Sequence, residues 1–204
     1  MFKTLQKIGK AFMLPIAILP AAGLLLGIGG ALSNPTTVKS YPALGNPILQ
    51  DIFQVMSAAG SVIFENLALL LSIGLCIGLA KRDKGTAALA GITGFLVMTA
   101  TTKALVSLSS NPDRPIDTGV VGSLVIGAVA VWLHNRYHNI ELPAFLGFFG
   151  GSRFVPIVTA FAGIVIGALF FLVWPPIQAG MVSAGTAIAG WGVIGTFFYG
   201  FLMR

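Results

Sequence analysis

Apolar residues run along this chain in long blocks, and nearly all the charges fall in the short segments between them. Blocks long enough to cross a hydrocarbon core about 30 Å thick lie at 11–31, 62–80, 86–106, 119–134, 154–175 and 183–203. The pattern predicts an all-α integral membrane protein of about six transmembrane helices, five if the short fourth block or the glycine-rich sixth does not count. Turn chemistry marks the joints: Ser33-Asn34-Pro35, Lys81-Arg82-Asp83-Lys84-Gly85, Asn111-Pro112-Asp113 and Trp174-Pro175-Pro176. The last of these reads as an interfacial anchor followed by a helix stop.

Two segments look amphipathic rather than spanning. Ile48 to Met56 follows a stretch holding Pro35, Pro42 and Pro47, and reads as a short helix lying at the interface. The loop from His134 to Pro143 is the second candidate, with Tyr137 in the headgroup belt and both His134 and His138 solvated.

Composition excludes the soluble alternatives. Only 9% of the 204 residues are charged and 56% are hydrophobic, where a soluble domain carries about 25% charge; mean hydropathy is +0.92. A net charge of +6 does not indicate nucleic acid, because no basic stripe interleaved with stacking aromatics is present. The cations instead divide by side. With a cytoplasmic N-terminus, Lys3, Lys7, Lys10, Lys81, Arg82, Lys84, Arg136, Arg153 and Arg204 fall inside, and Lys39, Lys103 and Arg114 fall outside. This positive-inside bias predicts both termini in the cytoplasm. The N-terminal lysines do not mark a cleaved signal, since block 11–31 is too long for one and further blocks follow.

Small residues recur at four-residue spacing, as in Gly23 with Gly27, Gly74 with Gly78, and Gly163 with Gly167, a spacing that lets helix backbones approach closely in lipid. These read as packing faces, inside the chain or between chains. No paired carboxylates, nucleophile with a base, phosphate loop or metal-ligand spacing appears, so no catalytic residue, cofactor or metal is expected. Cys76, the single cysteine, reads as a small buried hydrophobe. What remains are polar groups where lipid makes them costly. Glu65-Asn66 lies inside the second block, and Lys103 falls at similar depth on the third, so a Glu65–Lys103 ion pair pinning two helices is expected. Thr99, Thr101 and Thr102 read as hydrogen-bonding glue, and Arg153 as a cation that opens the fifth span and snorkels to phosphates.

The run from Glu141 to Ile157, Glu-Leu-Pro-Ala-Phe-Leu-Gly-Phe-Phe-Gly-Gly-Ser-Arg-Phe-Val-Pro-Ile, closely resembles a signature of the membrane (IIC) component of bacterial sugar phosphotransferase systems, in the glucose, maltose and N-acetylglucosamine branch. Gly9 to Leu24, Phe64-Glu65-Asn66-Leu67 and Val173 to Gln178 resemble the same family in the same order. The resemblance implies a multi-pass permease of the bacterial plasma membrane that carries a gluco-configured sugar, maltose or glucose, with N-acetylglucosamine as the nearest rival. It implies a partner IIB domain whose phosphocysteine phosphorylates the sugar, a role Cys76 does not match. It further implies that residues 1–204 are the N-terminal, scaffold and homodimer-forming portion of such a permease, with the family's Gly-Leu-His-His sugar motif beyond residue 204. On this reading the chain alone is not catalytic. Arg204 resembles the arginine that precedes that motif, and Arg204, Glu65 and Asn66 are the candidate sugar contacts.

Overall fold

The computed structural model describes residues 2–109 and 116–192, together with 195, 197 and 200. Seven α-helices and short 3₁₀ turns make up this part, and no strand occurs among the described residues. The order is α1 (Phe2–Ser33), α2 (Pro35–Ser40), a 3₁₀ turn (Pro42–Gly45), α3 (Pro47–Glu65), α4 (Leu67–Leu79), α5 (Lys84–Leu108), α6 (Gly119–Tyr137), two 3₁₀ turns (Ala144–Phe149 and Gly151–Arg153) and α7 (Phe154–Gly190). Among the described residues five helices are long and apolar enough to cross a membrane: α1, α3, α5, α6 and α7.

Three boundaries differ from the expectation. The amphipathic stretch from Ile48 does not stop at the interface but continues to Glu65 as one helix of 19 residues. Asn46 caps it by accepting from the Ile48 amide at 3.0 Å, Pro47 suits the first turn, and nothing from Ser57 to Ser61 breaks it. The block drawn at 62–80 is therefore divided. Asn66 leaves helical geometry (φ −99°, ψ 14°), and the 13-residue α4 begins after it. Finally, Trp174-Pro175-Pro176 does not stop the fifth span, because α7 runs through both prolines to Gly190. The prolines lack the amides that would bond the carbonyls of Phe171 and Leu172. Continuing the helix still satisfies more backbone than ending it in lipid would. Trp174 is buried, and its indole N–H donates to the Asp117 carbonyl at 2.8 Å, so it acts as an internal tie and not as an interfacial anchor.

Helix α1 runs antiparallel to α3 and α4 taken together. Gly29 meets Phe53 and Ser57, Gly60 meets Ala22 and Leu26, and Gly74 and Gly78 close on Pro15 and Ala11. Helix α4 also packs on α5 and α6, and α5 lies along α7. The α5–α7 seam is as close as glycine permits: a Cβ on Gly163 would stand 2.9 Å from the Gly94 carbonyl, and one on Gly167 2.7 Å from that of Met98. Buried hydroxyls and the thiol tie these helices together. Ser72 donates to Gly91 O at 3.1 Å, Cys76 to Gly127 O at 3.5 Å and Thr102 to Gly167 O at 3.2 Å.

One end of this assembly collects the cations. The N-terminal ends of α5 and α7 and the C-terminal ends of α4 and α6 meet there, with Ala11 of α1 against Gly78. The Asn135 side chain accepts from the Lys81 amide at 2.9 Å and donates to Leu79 O at 3.2 Å. His134 is fully buried, with Nε2 2.8 Å from Arg82 O, which corrects the solvated reading. The interhelical turn needs this clamp because it must close between two helices in four residues, with Asp83 forced to φ 46°.

Candidate functional site

At Asn66 the chain makes the site. Because α3 follows α1 while α4 alone packs on α5 and α6, the α1–α3 pair separates from the bundle just past Leu67. A cavity of about 650 Å³ opens in that fork. Its polar lining comes from Glu65, Thr99, Thr102, Lys103, Asp117 and Thr118, and its apolar lining includes Phe64, Phe95 and Leu96.

Each polar group is placed by a local cause. Glu65 is the last residue of α3 and lies exposed at the break. The Asn66 amide side chain turns back to Val62 O at 2.8 Å, so Asn66 shapes the break and does not line the cavity. Thr102 is committed twice, to Met98 O at 3.0 Å and to Gly167 O at 3.2 Å, and fixes the wall instead of reaching into the space. Asp117 Oδ1 accepts from the Gly119 amide at 2.8 Å, where Gly119 takes φ 46°, and the Asp117 carbonyl holds Trp174. The first turn of α6 is thereby tied to α7.

Glu65 and Lys103, expected as an ion pair, do line one space, but no ion pair closes between them among the described residues. Across a space of this size, a carboxylate, an ammonium and threonine hydroxyls suit a polar, uncharged ligand with several hydroxyls, or ordered water. No cluster of three or more His, Cys, Asp or Glu that could hold a metal ion occurs among the described residues. Asp117 was not flagged by sequence, since it lay in a polar linker with no partner in view. Arg204, the third sugar-contact candidate, lies outside the described residues, as does Arg114.

A second cavity, about 740 Å³, lies at the cation-rich end, lined by His138, Glu141, Gly147, Gly150 and Gly151 among others. The signature run from Glu141 to Ile157 builds this loop and then starts α7. Its glycines have a physical reason: Gly151 sits at φ 64° while its amide donates to Ile140 O at 2.8 Å. Arg153 stands at the entrance to α7, with its guanidinium 5.1 Å from the Phe148 ring centre.

Against known families, the model described as Phosphotransferase system, EIIC matches residues 9–204 of the chain.

Proposed function

The chain belongs to the phosphotransferase system EIIC family, and on that premise we propose that it carries maltose or glucose across the bacterial plasma membrane for phosphorylation by a IIB partner domain. As an EIIC protein it is a multi-pass membrane component of a sugar phosphotransferase system. The single observation that supports a sugar phosphotransferase permease is the family match over 9–204, with the signature loop and the α7 entrance inside it; the choice of maltose or glucose rests on the resemblance of the run from Glu141 to Ile157 to that branch.

Within this reading, residues 1–204 serve as scaffold and dimer face. Support comes from the glycine pairs. Gly74 with Gly78 and Gly163 with Gly167 are used up inside the chain, whereas a Cβ on Gly27 would meet nothing within 4 Å and one on Gly23 only touches Phe64 at 4.0 Å. That open pair on α1 is available to a second copy. The Glu65 cavity is proposed as a polar stop on the sugar path, and the Glu65–Lys103 ion pair as the contact made when the fork at Asn66 closes. A cytoplasmic N-terminus is supported by the cations Lys81, Arg82, Lys84, Arg136 and Arg153 at or beside the α4–α5 and α6–α7 connections; a cytoplasmic C-terminus is proposed with it from the charge pattern, and Arg204 lies outside the described residues.

Deletion of the gene should cut phosphoenolpyruvate-dependent accumulation of phosphorylated maltose or glucose at least tenfold, with N-acetylglucosamine uptake unchanged. Unchanged accumulation of both sugars would remove the assignment, and selective loss of N-acetylglucosamine would move it to the rival substrate. Cysteine labelling at Ser40 and Asp83 should report opposite faces of the membrane; labelling from one face would overturn the orientation.

A further inference from the structure

The 3₁₀ turn Ala144–Phe149 has no buried residue, although its sequence is Ala-Phe-Leu-Gly-Phe-Phe. Phe145 is 83% exposed, Phe148 72% and Phe149 44%. A loop in water would gain by hiding three phenylalanines, and this one is held out by its own hydrogen bonds. Leu146 N donates to Pro143 O at 2.8 Å and Gly150 N to Gly147 O at 3.1 Å, while Gly151 N is pinned to Ile140 O. The turn leads directly into α7 and follows α6 by a few residues, so it stands at the level where spanning helices leave the hydrocarbon. Arg153 joins the aromatics to charge, with its guanidinium over Phe148 and Nη1 donating to Phe148 O at 3.3 Å. The same end of the helices carries Lys81, Arg82 and Lys84 in the turn tied to His134 and Asn135 of α6, and Arg136 beside them, against Asp83 and Glu141 as the described acids of this end.

We propose that the turn Ala144–Phe149 is a wedge inserted into the membrane interface, and that Arg153 beside it binds the phosphate of an anionic phospholipid. Phenylalanine rings at this depth bury apolar area among the upper acyl carbons. A guanidinium held over one of those rings sits at phosphate level with donors to spare, since a single backbone bond uses only part of its fork. The excess of cations at the same end selects anionic headgroups over zwitterionic ones. The wedge does not depend on which way the chain is oriented, because both leaflets offer the same interface.

The test uses the full chain with Cys76→Ser, spin-labelled at Phe145→Cys or Phe148→Cys, in vesicles of phosphatidylcholine with phosphatidylglycerol at equal composition in both leaflets. Both labels should collide more often with oxygen than with a water-soluble nickel complex. Mass spectrometry of the protein released from these vesicles should show retained phosphatidylglycerol, reduced at least threefold by Arg153→Gln and not by Lys39→Gln at the other end. Labels more accessible to nickel than to oxygen would overturn the wedge and leave the patch to a protein partner. Retention unchanged in Arg153→Gln would overturn the lipid contact. Should Arg153→Gln fail to fold, Arg153→Lys keeps the charge but loses the fork, and must still lower retention. Uniform vesicles keep the result separate from the orientation proposed above.

Discussion

Helices α5 and α6 and the α1–α3 pair are all apolar enough to span a membrane, α1 the most so, but they conceal their residues differently. Within an apolar 18-residue stretch of each, 44% is buried in α6 and 33% in α5, against 18% in α1 and 6% in α3. The bundle is closed from within: glycines let α5 and α7 touch along their backbones, and Ser72, Cys76 and Thr102 bond carbonyls of neighbouring helices. The pair makes close glycine contacts along one line, at Gly29 and Gly60, and turns Met13, Leu24, Ile52 and Val55 outward. Among helices in lipid, burial thus follows the placement of small residues and hydroxyls, and hydrophobicity alone does not set it.

The sharpest way to break this contrast is to place the same side chain on a glycine of each region. Gly163→Leu would force a Cβ to 2.9 Å from Gly94 O and 3.3 Å from Met98 N, and should cost about 3 kcal/mol or more. Gly27→Leu meets nothing within 4 Å and should change monomer unfolding in detergent by under about 0.5 kcal/mol. Similar losses at both positions would dissolve the distinction. The clamp at the cation-rich end comes next: Asn135→Ala removes the acceptor of Lys81 N and the donor to Leu79 O. The expected loss is about 1–3 kcal/mol, seen also as faster proteolysis after Lys81 or Arg82, and an unchanged cleavage rate would contradict the clamp.

Smaller effects probe the fork between the two regions. If closing at Asn66 brings Glu65 to Lys103, the cycle of Glu65→Gln and Lys103→Met should show coupling of about 0.5–1 kcal/mol; strict additivity would mean that they never meet. Thr102→Val, which loses one bond across the α5–α7 seam, should cost about 0.6 kcal/mol in thermal unfolding, and a stabilised variant would show that the seam needs no hydroxyl.

These residues also show what could be read from the chain. Gly163 and Gly167 were legible as a packing face because four-residue spacing puts them on one side of a helix, and the seam lies there. Their partner helix was not legible, since spacing is local and the contact to Gly94 spans dozens of residues. The helical membrane class followed from block length alone. The run through Pro175 and Pro176 did not, because a proline pair reads as a stop by rules drawn from water, where a broken helix can bond solvent. Asn66 was noted as a costly polar group, and its neighbour Glu65 as a partner for Lys103; that the pair marks a fork required knowing that α1 follows α3. His134 read as solvated because a histidine in a polar loop usually is, and only the return of Arg82 O to its ring explains its burial.

The bundle is filled from inside, and the open α1 face at Gly23 and Gly27 is proposed to be filled from outside by a second copy of the chain. Disulfide trapping in native membranes tests it directly, with Gly27→Cys placed in a Cys76→Ser background. The account predicts a covalent dimer at Gly27 and none when the cysteine is put at Thr159, which is fully buried against Gly94 inside the bundle. A chain that stays monomeric with Gly27→Cys under oxidant, while its membrane insertion is normal, would contradict it.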